Sequence, residues 1–116
     1  MISLNQTAKN MFTTAKNMFT TAKKREQNGA FVKTDTPTLL KHCATEVVEA
    51  MEAYTRWEWD DDNSHTHTLE LFESELADIV ACVLIIAHLE SIDMEEALTK
   101  CITKNKKRAD GEGDKK

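Results

Sequence analysis

Four carboxylates carry the chemistry this sequence offers. Glu46 and Glu49 stand three positions apart, and Glu75 and Asp78 repeat that spacing. On a helix, a spacing of three puts each pair on neighbouring turns of one side. Packing those two sides together would bring four negative groups into one pocket. Buried charge without a partner is expensive, so such a pocket needs a cation, a metal or a proton. Hard divalent cations prefer oxygen ligands and are the natural compensation. Magnesium keeps several waters and usually meets substrate phosphates, which points towards phosphate chemistry. One Glu-x-x-Glu alone is most often a solvated face. Two such pairs, each set among apolar residues, argue for a shared site.

The elements that must position them read as helices. Residues 71–89 contain no Gly or Pro and are long and apolar enough for a buried helix. At 100° per residue, Leu71, Glu75, Asp78, Cys82, Ile85, Ile86 and Leu89 share a face, so both acids sit on the core-facing stripe. The first pair belongs to a helix expected over 37–57, with Thr36 as its N-cap and Pro37 at the first helical position. Leu39, Cys43, Glu46, Ala50, Ala53 and Trp57 form one face of it, flanked by Glu49. A second apolar face, Leu40, Ala44, Val47, Met51 and Tyr54, predicts burial over much of the circumference.

Around these lie three further segments. Residues 7–13 and 14–20 are the same heptapeptide, Thr-Ala-Lys-Asn-Met-Phe-Thr, and Thr21-Ala22-Lys23 begins a third copy. Leu4, Ala8, Met11, Ala15, Met18 and Ala22 follow a 4-3-4-3-4 spacing, which predicts a helix that packs against another helix. Its basic, acid-poor character also admits a membrane-surface or presequence-like role. Asn28-Gly29 stops this helix, 30–35 connect, and 58–68 read as a polar loop. Asp93 and Glu96 suggest a capping box for a last helix carrying Ala97, Leu98, Cys101 and Ile102 inward and ending in Lys104, Lys106, Lys107 and Arg108. The expected architecture is an all-α helical bundle whose core is the second, third and fourth helices. Residues 1–28 would be an extra heptad helix, 36–110 the main domain, and 111–116 a mobile tail.

Composition narrows the class. A chain of 116 residues is expected to be one small domain that gains from oligomerisation. Its net charge of -5 argues against general binding to nucleic acid or anionic membrane. Cys43, Cys82 and Cys101 are odd in number and widely spaced among apolar residues, which suits reduced thiols in a cytoplasmic protein. The N-terminus lacks the continuous apolar run of a signal peptide, and the longest such run, 79–87, is far short of a membrane span.

Glu46-x-x-Glu49, then 25 intervening residues, then Glu75-x-x-Asp78, resembles the paired motif of the MazG-like all-α nucleoside triphosphate pyrophosphatases. The surroundings agree: 44–53 on the first motif helix, and Glu75-Leu76-Ala77-Asp78-Ile79-Val80 on the second. Residues 92–98 resemble the start of the family's next helix, and Lys104-Asn105-Lys106-Lys107-Arg108 its basic end. The resemblance covers about residues 36–110. It implies magnesium-dependent cleavage of a nucleoside triphosphate between its α- and β-phosphates, releasing monophosphate and pyrophosphate. Carried over by position, Glu46, Glu49, Glu75 and Asp78 would hold Mg2+, and Glu46 or Glu49 would orient the attacking water. Lys104, Asn105 and Arg108 would hold phosphate oxygens. His42 stands where some relatives place a lysine and is a further substrate-binding candidate, with a structural role as the plainer reading. Relatives assemble as dimers or tetramers, so a homodimer or homotetramer is implied.

This chain also departs from the pattern. Thr45 stands where relatives often have an extra glutamate, and Val48 and Ala77 where they often have glycine. Trp57 and Trp59 could stack on a base or pack in the core. His65 and His67 form a His-x-His without an evident third ligand, which disfavours zinc. The expected function is nucleotide-pool housekeeping. A different substrate within the superfamily, such as dUTP, dCTP or phosphoribosyl-ATP, is a nearby alternative. The other class is a non-catalytic helical interaction module whose working part is the heptads.

Overall fold

The computed structural model describes the backbone of residues 4–59 and 65–111, and the side chains of 13–59 and 68–111. Over these residues the chain forms α1 (Leu4–Gln27), α2 (Thr36–Trp59), α3 (His65–Leu89) and α4 (Met94–Ala109), with no strand among them. The all-α expectation holds. The loop after α2 is shorter than its polar composition suggests: Glu58 and Trp59 complete α2, and α3 already begins at His65.

The core lies elsewhere than expected. It is built by α1, α2 and α3, with α3 packed against both of the others. Ala22, Leu39, Cys82 and Ile85 form its buried centre, surrounded by Met18, Phe19, Phe31, Val32, Cys43, Ile86 and Leu89. Leu39 is completely enclosed, at 0% exposure. The seam of α1 explains its place. Ala15 and Ala22 are buried small residues that let the helices approach closely, and Met18 and Phe19 fill the space beside them. The heptad helix is thus part of the fold's centre, not an appendage.

By contrast, α4 contributes no buried residue. Ala97, Leu98, Cys101 and Ile102, expected to point inward, are exposed, Ile102 at 68%. The physical reason is that α4 makes only a light contact with α1 and covers neither α2 nor α3 along its length. On α2, the first face behaves as read: Leu39, Glu46, Ala50 and Ala53 are buried, with Cys43 and Trp57 half-buried. The second face does not. Leu40, Ala44, Val47, Met51 and Tyr54 all face outward, Met51 at 65% exposure, because one flanking helix is too few to cover both sides.

Helix ends are set by local chemistry. After α1, the Ala30 N–H donates to Arg25 O at 2.8 Å and the Gly29 N–H to Glu26 O at 3.0 Å, with Gly29 at φ 73°. This paired closure needs the left-handed conformation that glycine adopts without penalty. The Glu26 carboxylate then fastens the connector, accepting from the Thr34 backbone N–H and, at 3.1 Å, from its hydroxyl. Helix α2 is capped by Asp35 and not by Thr36: the Thr38 N–H donates to Asp35 Oδ1 at 3.0 Å. Thr36 donates its hydroxyl to Glu90 instead, tying the start of α2 to the end of α3. Of the capping box read at α4, the Asp93 half is present, accepting from the Glu96 N–H at 3.0 Å, whereas the Glu96 carboxylate pairs forward with Lys100 at 3.0 Å.

The end of α3 repeats the closure seen after α1, with the Ile92 N–H donating to Ala87 O at 2.8 Å. Here the left-handed position is held by Ser91, at φ 56°, although a Cβ is disfavoured there. Ser91→Gly should therefore stabilise the protein by about 0.5–1 kcal/mol. A higher urea midpoint with an unchanged slope would show it; no gain would mean that the Ser91 side chain contributes what the backbone loses.

Candidate metal centre

The facing sides of α2 and α3 bring carboxylates together. Glu46 projects from the buried face of α2 and is only 8% exposed. From α3, Glu75 is half-buried and Asp78 lies at the exposed rim. One carboxylate oxygen from each of Glu46, Glu75 and Asp78 lies within 4.8 Å of the other two. Glu49 is exposed and stands outside this trio, yet its charge is felt by both Glu46 and Glu75. One turn before Glu46, His42 donates from Nε2 to Glu46 Oε1 at 3.0 Å and meets the Phe31 ring edge-on at 5.1 Å.

Electrostatically the cluster is unfinished. Glu46 Oε2 and Glu75 Oε2 are buried and have no hydrogen-bond partner. Burial pushes the Glu46 carboxyl up to about 7, helped by the adjoining Glu75 carboxyl and by repulsion from Glu49 and Asp78. Glu75 is raised too, again chiefly by burial, with repulsion from Glu49 and Asp78 adding to it against the opposing effect of Glu46. Two orphaned buried oxygens cost free energy unless something positive shares them. Oxygens around one hard cation, bound at about 2.0–2.6 Å, lie no further apart than about 4–5 Å. The donor set and its spacing fit a hard divalent cation, and the open rim at Asp78 leaves it accessible from solvent.

A cavity of about 1010 Å³ opens beside the cluster, reached by Glu46, Asp78 and His42 on one side. Its other walls are the α1 face around Asn17, the connector at Phe31 and Val32, and Ile85 of α3. The model of the MazG nucleotide pyrophosphohydrolase domain matches residues 35–111, well over half of the chain. The chain belongs to the MazG family. Both carboxylate pairs fall inside the matched region, whereas α1 precedes it. No curated protein and no solved structure matches the chain.

Within this MazG domain the remaining candidates are placed as follows. Lys104, Asn105 and Arg108 lie on exposed α4, and none of them lines the cavity beside the carboxylates. Asn105 donates to Cys101 Sγ at 3.6 Å along its own helix. Thr45 turns its hydroxyl to Lys41 O at 3.2 Å, and Val48 and Ala77 are exposed. Trp57 stacks on Phe72 at 6.0 Å in an aromatic group with Tyr54, while Trp59 is 79% exposed. The side chains of His65 and His67 lie outside the described residues. Sequence reasoning treated 30–35 as a plain connector and so missed Phe31, whose contact with His42 no local pattern announces.

Proposed function

We propose that this MazG-family protein hydrolyses nucleoside triphosphates to monophosphate and pyrophosphate with Mg2+ as cofactor. The observation that carries the reading is the pair of buried, partnerless oxygens on Glu46 and Glu75, gathered with Asp78 beside a cavity of ligand size. Glu46, Glu75 and Asp78 hold the metal, with Glu49 completing the set from the solvent side. When bound, the cation supplies charge neutralisation and polarises phosphoryl oxygens. Glu49, exposed and outside the tight trio, is suited to orient the attacking water, and Glu46 is the second candidate. His42 keeps Glu46 aimed by its hydrogen bond, the role a supporting partner plays around a metal ligand.

Assembly belongs to the same proposal. Leu40, Val47, Met51 and Tyr54 on α2, and Leu76, Val80 and Val83 on α3, are uncovered large apolar side chains at helical spacing. Such faces suit a homodimer or homotetramer of helices packed side to side. Lys104, Asn105 and Arg108 meet the phosphates only if α4 reaches the carboxylates across a subunit contact, which exposed Leu98 and Ile102 support. Free thiols at Cys43, Cys82 and Cys101 suit the cytoplasm, and no helix among the described residues is long and apolar enough to cross a membrane. The catalytic unit is residues 36–110, served by the helix in 1–28. A purely structural interaction module would account for the uncovered faces but not for the orphaned oxygens.

The test is pyrophosphate release from a panel of nucleoside triphosphates. Release should require a divalent cation, cease with a chelator, and be lost in Asp78→Ala with helical content intact. Full activity in Asp78→Ala, or no turnover of any nucleotide, would overturn the assignment.

A further inference from the structure

The duplicated heptapeptide leaves a polar edge on α1 that the metal centre does not use. Thr14, Asn17, Thr21 and Arg25 recur at spacings of three, four and four, within an arc of roughly 80° beside the apolar seam of Ala15, Met18 and Ala22. All four line the same cavity that Glu46 and Asp78 reach from α2 and α3. Helix α1 therefore buries one stripe in the core and presents the neighbouring stripe to the space beside the acids. The second copy of the heptapeptide sets both stripes at once, placing Thr14 and Asn17 next to Ala15 and Met18.

Among the described residues lining the cavity, Arg25 is the lysine-or-arginine cation. Its guanidinium lies over the Phe31 ring, 4.9 Å from the centroid, and Nη2 donates to Ala30 O at 3.4 Å. Phe31 in turn abuts His42, which is bonded to Glu46. This succession of contacts fixes Arg25 relative to the carboxylates. A polyphosphate entering an acidic pocket needs fixed positive charge, and within one chain the basic end of α4 lines no part of it. Asn17 offers an amide that both donates and accepts, and Thr14 and Thr21 add hydroxyls, the groups that read a sugar or a base edge.

We propose that this polar edge is the substrate-facing wall of the pocket: Arg25 holds phosphate oxygens, and Asn17 with Thr14 and Thr21 hydrogen-bonds the nucleoside. The proposal rests on the pyrophosphatase reading of the acidic centre and adds to it residues that precede the family match. Kinetics of wild type, Arg25→Ala, Arg25→Lys, Asn17→Ala and the off-pocket control Lys24→Ala over a nucleotide panel test it. Binding of an α,β-methylene nucleoside triphosphate with magnesium gives a readout independent of turnover. Arg25→Ala should raise KM and weaken analogue binding about tenfold for every base, with kcat little changed and part of the loss recovered in Arg25→Lys. Asn17→Ala should instead alter the ranking of bases, and Lys24→Ala should match wild type. An active wild type with both alanine variants unchanged in KM, analogue affinity and base ranking overturns the inference alone. A wild type that neither binds the analogue nor turns over any nucleotide overturns the acidic-centre reading and this wall together.

Discussion

Glu46→Gln is expected to reduce pyrophosphate release by more than about 100-fold while making the metal-free protein more stable, not less. A loss of that size is already the upper end for removing a mere supporting partner of a metal ligand, and Glu46 is proposed as a ligand itself. The stability gain follows from the same geometry. The Glu46 carboxylate is buried beside Glu75 and Asp78 with one oxygen partnerless, so a neutral amide of the same shape relieves repulsion that the native chain tolerates. The sign of the pH dependence distinguishes this from a general packing effect. Glu46 is raised from 4.5 to about 7 in the fold, so the folded state binds more protons than the unfolded one between those values. The contribution of Glu46 to the stability of metal-free protein should be full below pH 4.5 and be lost as pH rises through 7, by on the order of 3 kcal/mol. In Glu46→Gln that slope should shrink to the share of Glu75, whose carboxyl burial also raises, and saturating magnesium should reverse it in the wild type, because metal and protons compete for the same oxygens. Melting curves from pH 4.5 to 8, with and without magnesium, decide the matter. A wild type that gains stability with pH without metal would show that the carboxylates do not crowd one another.

Removing residues 1–28 should abolish the folded state, even though the family match begins only at residue 35. Met18, Phe19 and Ala22 close one side of the cluster around Leu39, Cys82 and Ile85. Loss of one large buried side chain from a core commonly costs about 3–5 kcal/mol, and here a whole helix leaves. Against a total stability of about 5–15 kcal/mol, the shortened chain cannot stay folded by itself. Circular dichroism should show lost helical content and no cooperative melt. If the fragment 29–116 instead melts cooperatively near the wild-type temperature, α1 is dispensable and the core belongs to α2 and α3 alone.

Much of this molecule was legible in its residues. Apolar spacing placed four helices, and Asn28-Gly29 and Asp93 marked real ends, because caps and left-handed turns are decided within a few residues. The three-residue spacings of Glu46 with Glu49 and of Glu75 with Asp78 set which helix sides carry the acids, since side-chain direction follows from helical geometry alone. Whether those sides meet depends on how helices pack, and there the sequence was silent on degree. Only the tertiary structure separated Glu46, Glu75 and Asp78 from Glu49, which lies one turn further along but turns to solvent. It also reversed the ranking of the outer helices. Periodicity marks an apolar stripe on α1 and on α4 alike, but a stripe is buried only where a complementary surface lies within reach. Ala15 and Ala22 let α1 approach α3 closely, so the stripe from Ala15 to Ala22 is enclosed, while Leu98 and Ile102 of α4 are left exposed. Local chemistry determined the elements and the acids; long-range packing decided which of them became a core and which became a site.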